Sequence, residues 1–208
     1  GLDLEFEVIE THPVEAILNF MKHATIDLIV MGTHGYGGFK RIRLGSVAEN
    51  TVANATVTVF TVRQKTHLFI DASRADSIPA IDKILCPSNM SEAAVIALRH
   101  AAAIAERFGA VLDVLHIGET GKDKDISKDE KKLSDWIADT VKAHCDVNPI
   151  VLRGQTAEQI ISYAKENHDD LIVLGASHKK ILEATFFGKT TELVLRHAPC
   201  PVLITPRF

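Results

Sequence analysis

The chain of 208 residues is 46% hydrophobic, which is enough for a conventional protein core and places its length between one and two domains. Its formal net charge of -4 and its pI near 6.2 give no general attraction to nucleic acid or to an anionic membrane. We therefore expect neither a nucleic-acid partner nor a membrane partner.

Cysteine usage and hydropathy favour the cytoplasm. Cys86, Cys145 and Cys200 lie far apart and have the spacing of neither a disulfide framework nor a zinc site, as is usual in a reducing compartment. No apolar run approaches the roughly 18 residues of a membrane span, and no signal peptide opens the chain.

The first half of the chain alternates strands and helices. VIE predicts a strand, and Pro13 then begins a helix whose buried face follows the spacing of Val14, Ile17, Leu18 and Met21. DLIVMG lacks polar alternation, as expected of a strand that is covered on both faces of a parallel sheet. After a glycine-rich loop, the spacing of Ser46 and Glu49 predicts a capping box at the start of a second helix. VTVFTV is the last strand of this half.

The second half opens with an additional strand, helix and strand. KILCPS predicts the first strand, and Ser91 begins a helix that ends at Gly109, a residue suited to a left-handed cap. The apolar face of this helix comprises Val95, Leu98, Ala102, Ala105 and Phe108. After the strand AVLDVLHIG, the charged run ETGKDKDISKDEKK is interpreted as a solvated, mobile loop rather than a binding tail. KLSDWIADTVKAH then predicts a further helix.

An internal repeat relates the two halves. VLRGQTAEQIISYAKENHDDLIVLG matches VIETHPVEAILNFMKHATIDLIVMG without a gap, at a constant offset of 143 residues that pairs Leu28 with Leu171. In the second copy, the spacing of Thr156 and Gln159 predicts a capping box. Because strands alternate with helices in both copies, we expect an α/β fold with a doubly wound parallel sheet.

The repeat also predicts the domain organisation. The counterpart of the strand, helix and strand that open the second half would precede Gly1, so we expect the first domain to be truncated at its N-terminus. This gives the C-terminal part of a first domain at residues 1–63, a linker at 64–82 and a complete second domain at 83–208.

The stretch GTHGYGGFKRIRLGSVAENTV, residues 32–52, has the composition of a phosphate-binding loop. Phosphate requires several converging backbone N–H groups with no side chain in the way, and a helix N-terminus behind them. Lys40, Arg41 and Arg43 could add positive charge at the rim. The alternative is a tight turn into a capped helix, because spaced glycines and a capping box also occur without a ligand.

The spacing of Gly32, Gly35, Gly45 and Ser46 matches G-x2-G-x9-G-[ST], and with the ending HAPCPVLITP the chain resembles the universal stress protein family in its tandem form over nearly its whole length. The resemblance implies a sheet like that of the adenine nucleotide alpha hydrolases, with strand order 3-2-1-4-5. It also implies binding of ATP or AMP, with or without Mg²⁺, and a regulatory role in the stress response. The implied nucleotide-binding residues of the first loop are Gly32, His34, Gly35, Gly45, Ser46 and Val47.

The resemblance further implies association through the last strand of each copy. VTVFTV and PVLITP are apolar and uncharged, so each needs a covering partner. We expect them to pair either with each other or with a second chain, giving an intrachain pseudo-dimer or a homodimer.

The second copy departs from the binding motif. His178 stands where Gly35 stands, Lys189 replaces Ser46, and Asn89 takes a position that is acidic in relatives that bind ATP. Lys189 at a helix start opposes the helix dipole unless an anion offsets it, so it indicates either decay of the site or a side-chain ligand for phosphate. The positions that the resemblance implies for this second site are Pro87, Asn89, Ile117, Gly175, Gly188, Lys189 and Thr190.

Two other functions are considered. The first is a nucleotide-independent dimerisation or interaction module of the same family, and the second is an enzyme of the wider adenine nucleotide alpha hydrolase group. We expect at most slow ATP hydrolysis, because neither loop has an acidic residue placed for magnesium. His34 could contact phosphate or be an exposed loop residue, whereas His116 and His197 are interpreted as packing and capping residues.

Overall fold

The computed structural model describes residues 3–33, 44–63, 80–118, 125–175, 178–181 and 184–206. Seven helices are present in these ranges: α1 Pro13–His23, α2 Ser46–Asn54, α3 Glu92–Phe108, α4 Ile126–Trp136, α5 Asp139–Lys142, α6 Thr156–Glu166 and α7 Lys189–His197. The same ranges contain nine strands: β1 Leu28–Gly32, β2 Thr58–Val62, β3 Lys83–Pro87, β4 Val111–Gly118, β5 Val147–Arg153, β6 Leu171–Gly175, β7 His178–Ile181, β8 Ala184–Phe187 and β9 Val202–Thr205.

Seven of the strands form one sheet, with the order β1-β2-β9-β6-β3-β4-β5. All neighbours in this sheet are parallel except β2 and β9. The five strands of the second half follow the order 3-2-1-4-5, which confirms the predicted α/β fold with a doubly wound sheet. A separate antiparallel ribbon consists of β7 and β8.

The last strands of the two halves pair with each other, which is one of the two predicted arrangements. The register of β2 and β9 sets Phe60 opposite Leu203, and the two strands run antiparallel. Beside them, the Thr61 hydroxyl donates to the Val202 carbonyl at 3.1 Å. The Arg63 guanidinium donates to the Ala198 carbonyl, at the C-terminal end of α7, at 2.7 Å. Both halves therefore belong to one continuous sheet.

The first half departs from the predicted pattern. The segment VIE is not a strand, and Val8 is 95% exposed. Among the described residues β1 is an edge strand paired only with β2, because the first half has no described counterpart of β3, which flanks β6 in the second half. The prediction that DLIVMG is buried on both faces is therefore wrong, and Val30 is 64% exposed. Its repeat counterpart Val173 is fully buried between β3 and β9. Helix α1 has the predicted apolar face, but none of its residues is fully buried.

Helix ends agree only in part with the predicted caps. The Ser91 hydroxyl accepts from the Ala94 N–H at 3.4 Å, and Gly109 adopts the predicted left-handed conformation at φ 68°. The capping boxes at Ser46 and Thr156 are wrong, because both residues lie inside their helices and the preceding Gly45 and Gln155 are the caps, without a side-chain hydrogen bond. Only the side chain of the N-cap residue itself is placed to accept a hydrogen bond from the N–H groups of the first turn, so a hydroxyl one residue later does not cap the helix.

The predicted loop over the charged run is wrong for its second part. Residues from Ile126 onward form α4, whose Leu133 is fully buried against the sheet. The Asp125 carboxylate accepts from the Ser127 N–H at 3.0 Å and caps the helix. One anchored leucine and one cap suffice to form a helix whose other side chains are solvated.

Two further predictions concern a membrane span and the linker. Across the described ranges, no helix combines the length and the apolar character needed to cross a bilayer. Most of the predicted linker, residues 64–79, lies outside the described part of the chain.

Candidate functional site

A cavity of about 230 Å³ opens at the carboxyl ends of the central strands. It is bounded by the ends of β3, β4 and β6, by α3 and α6, and by the start of α7. In the strand order, β4 lies on one side of β3 and β6 on the other, so the cavity sits where the order reverses direction. In open α/β sheets, ligands bind in the crevice at this switch point. The described lining residues are Pro87, Ser88, Asn89, Ala94, His116, Ile117, Thr156, Ile160, Leu174, Gly175, Gly188, Thr190 and Thr191.

The residues predicted for the second site converge on this cavity. Pro87, Asn89, Ile117, Gly175, Gly188 and Thr190 all line it, although the sequence spreads them over about half of the chain. Lys189 is exposed at the start of α7 and is not part of the lining. The sequence analysis missed Ser88, Thr156 and Thr191. Thr156 could have been found from its place three residues after the end of the parallel strand β5, because functional residues gather near such strand ends.

The residues predicted for the first site are described only in part. Gly32 ends β1, and the Gly45 N–H donates to the Thr33 carbonyl at 2.8 Å, which holds the start of α2 beside the end of this strand. Ser46 and Val47 are the first two residues of α2. His34 and Gly35 lie outside the described residues. The helix start that the phosphate hypothesis requires is therefore close to the strand end.

A chain of short-range hydrogen bonds shapes the turn between β3 and α3. The Ser88 hydroxyl accepts from the Met90 N–H at 3.0 Å, and Asn89 Oδ1 accepts from the Ser91 N–H at 3.1 Å. Met90 has a positive φ of 58°, which is uncommon for a residue with a side chain. These bonds fix the backbone where β3 meets the cavity.

His116 at the end of β4 is held in a defined orientation. Its Nδ1 lies 2.9 Å from the Ser88 carbonyl oxygen. Because a carbonyl can only accept, Nδ1 must carry the proton in this contact. His116 thus joins the ends of β3 and β4, in agreement with its interpretation as a packing residue, while its ring also lines the cavity.

Gly175 is explained by close packing at the end of β6. A Cβ atom at this position would lie 2.3 Å from the Ala93 carbonyl oxygen in α3, a distance that real contacts do not show. A glycine is required here whether or not a ligand is present. The same position in the first copy is Gly32, which ends an edge strand.

The start of α7 supplies hydrogen-bond donors to the cavity. Gly188 is the N-cap and provides no side-chain acceptor, so the first N–H groups of α7 lack a cap. Thr191, in the first turn, lines the cavity at 7% exposure. An uncapped helix N-terminus attracts anions.

One ion pair lies at the end of β5, and neither of its residues belongs to the described lining of the cavity. Arg153 at the end of β5 crosses Gly118 and contacts Asp129 of α4 at 2.7 Å. The hydrogen bond from Arg153 lowers the pKa of Asp129. No carboxylate belongs to the described lining, and no group of three or more potential metal ligands occurs in the described ranges.

Comparisons with known proteins point to one family. The family model described as the universal stress protein family matches residues 1–63 and 80–206. Universal stress protein MJ0531 of Methanocaldococcus jannaschii is 27% identical over 147 residues, covering 60% of this chain and 82% of that protein. The crystal structure of a universal stress protein from Archaeoglobus fulgidus has a TM-score of 0.73 at 24% identity, over 97% of this chain and 71% of that chain. A universal stress protein in complex with cAMP has a TM-score of 0.50 at 19% identity, over 61% of this chain and 97% of that chain.

Proposed function

Because the chain belongs to the universal stress protein family, we propose that it binds an adenine nucleotide, ATP or AMP, and acts as a cytoplasmic regulator in the stress response. The observation that carries this proposal is the cavity at the switch point of the sheet, with an uncapped helix N-terminus at one end and no carboxylate in its described lining. An anion at the start of α7 gains several N–H donors together with the favourable end of the helix dipole.

In this proposal the parts of the nucleotide occupy different ends of the cavity. The phosphates lie at the start of α7, close to Gly188, Thr190 and Thr191. The adenine lies against the apolar end near Ile117 and Ile160, which offers contacts to a flat ring. The ribose lies between them, beside the turn that follows β3.

The first loop is proposed as a second phosphate-binding segment. Ser46 and Val47 would contribute backbone N–H groups, together with His34 and Gly35. Gly32 and Gly45 would allow close approach of the backbone, since the Gly45 N–H already donates to the Thr33 carbonyl. The support is the sequence motif and the position of the start of α2 beside the end of β1. We also propose the domain boundaries 1–63, 64–82 and 83–208, the first domain being the C-terminal part of a universal stress protein domain.

Magnesium and oligomerisation are finer parts of the proposal. Since the described cavity lining contains no carboxylate, Mg²⁺ would enter only with the phosphates of ATP and would add charge compensation there. Pairing of β2 with β9 within the chain supports the pseudo-dimer arrangement, and a homodimer would need a further surface.

Blocking the start of α7 tests the proposal. Gly188 has an ordinary φ of -64°, and nothing lies within 4 Å of an added Cβ, so Gly188→Leu should fold normally while its side chain fills the anion end of the cavity. We expect calorimetric titration to give at least a tenfold loss of affinity for ATP and AMP. His197→Leu, at the other end of the same helix, is the matched control.

Titration also distinguishes the alternative function. A nucleotide-independent interaction module would bind neither ATP nor AMP, and the purified protein would carry no nucleotide. If wild type and Gly188→Leu bind the nucleotide with equal affinity, the nucleotide does not bind in this cavity.

A further inference from the structure

The side-chain amide of Asn89 has one end engaged and the other available. Its Oδ1 accepts from the Ser91 N–H at 3.1 Å. A backbone N–H can only donate, so this contact identifies the oxygen and leaves Nδ2 as the free end. Among the described residues Nδ2 has no hydrogen-bond partner, and Asn89 is exposed and lines the cavity.

The cavity thus presents donors at both of its polar ends. Nδ2 of Asn89 lies just beyond the end of β3, and the uncapped N–H groups of α7 lie at the start of that helix, where Thr191 also lines the cavity. A carboxylate at position 89 would bind the same Ser91 N–H with one oxygen and offer the other as an acceptor. Such a carboxylate would favour a ligand hydroxyl, which can donate to it, and would repel a negatively charged phosphate. The amide at this position reverses that preference, because it donates.

We propose that Asn89 determines ligand specificity and that the cavity binds an adenine nucleotide whose ribose 2′ or 3′ oxygen is phosphorylated. This proposal rests on the proposed nucleotide-binding function. With the 5′-phosphate at the start of α7 and the adenine near Ile117, the ribose lies beside Asn89. A donor bonded to a charged phosphate oxygen makes a shorter and stronger hydrogen bond than a donor bonded to a neutral hydroxyl.

Titration with matched nucleotides tests this inference. Adenosine 3′,5′-bisphosphate and adenosine 2′,5′-bisphosphate are compared with AMP by calorimetry on the whole chain. We expect at least one bisphosphate to bind the wild type about tenfold more tightly than AMP. The preference should be lost in Gly188→Leu, which assigns it to this cavity rather than to the first loop.

Asn89→Asp separates a contact at position 89 from general attraction between charges. This variant keeps the acceptor for the Ser91 N–H, so the turn should be preserved. We expect it to weaken binding of the preferred bisphosphate at least tenfold while AMP affinity changes less than threefold. Lys189→Gln serves as the charge control, since Lys189 does not line the cavity, and it should weaken both ligands similarly.

Two outcomes would overturn the inference. If AMP binds the wild type as tightly as both bisphosphates, or if Asn89→Asp weakens AMP as much as the preferred bisphosphate, Asn89 does not select a phosphorylated ribose, although nucleotide binding itself stands. If no nucleotide binds the wild type, both the inference and the proposed function fail.

Discussion

Replacing Asp169 with asparagine should stabilise the protein at alkaline pH and not at acid pH. Asp169 precedes β6, is 2% exposed, and neither of its carboxyl oxygens has a hydrogen-bond partner in the structure. Burial raises its pKa to about 7, assisted by the nearby carboxylates of Asp113 and Asp170 and opposed by Lys83. The position equivalent to Asp169 in the first copy is occupied by Ile26, so the fold does not require a charge there.

The sign and size of the effect follow from proton linkage. The folded state holds a proton on Asp169 up to a pH near 7, whereas an unfolded carboxyl loses it near pH 3.8. Stability therefore falls as the pH rises from about 4 to about 7 and stays low above that. At 1.36 kcal/mol per pKa unit, the full penalty at pH 8 approaches about 4 kcal/mol. We expect Asp169→Asn to recover about 2 kcal/mol of it, because the buried amide has its own cost of desolvation.

Thermal denaturation at several pH values measures this effect. About 2 kcal/mol corresponds to a rise in Tm of roughly 4–8 °C for a chain of this size. The rise should be present at pH 8 and close to zero at pH 4. Glu166→Gln is the control, since it removes the same charge from an exposed position three residues earlier and should leave Tm nearly unchanged. A Tm difference between wild type and Asp169→Asn that is independent of pH would refute the reasoning.

Two further predictions concern the first half. Ser46→Ala should weaken ATP binding by about 1 kcal/mol, because one hydrogen bond to phosphate is lost. It should change the free energy of unfolding by less than about 0.5 kcal/mol, because Ser46 is exposed and is not a cap. Ser91→Ala removes a true cap and should lower the free energy of unfolding by about 1 kcal/mol. Equal stability losses in the two variants would contradict this. Val59→Pro should destabilise the protein in denaturant unfolding by about 1–3 kcal/mol more than Val59→Ala, because β2 lies between β1 and β9 and proline removes a backbone N–H from this internal strand. A proline variant no less stable than the alanine variant would argue against the β2–β9 pairing.

Local signals in the sequence predicted much of the fold. The unbroken apolar run in β6, the serine cap at Ser91 and the glycine at Gly109 specify their structures within a few residues, and all three predictions are confirmed. The pairing of β2 with β9 could also be predicted from the sequence, because an apolar strand without charges is expected to pair with another strand rather than remain at an exposed edge.

The failures have a common physical cause. DLIVMG and DLIVLG are nearly identical, yet Val30 is exposed and Val173 is buried, because burial depends on neighbours that the segment itself does not encode. Helix α4 was not predicted from the charged run, because this helix is anchored by Leu133 and the cap at Asp125 rather than by a full apolar face.

The cavity was predicted more completely than either the caps or the edge strand. Six of its lining residues came from the family motif and the repeat. Thr191 was missed because its place in the lining depends on how α7 packs, which the local sequence does not show.

The antiparallel contact between β2 and β9 joins two strands that are carried by the same chain. An intramolecular contact of this kind forms at an effective concentration on the order of millimolar, set by the connection between Val62 and Lys83. The same strands on separate chains would part on dilution below their dissociation constant. The junction between the halves is therefore independent of how much of the protein a cell contains, and it holds at expression levels where a two-chain assembly would be mostly monomeric.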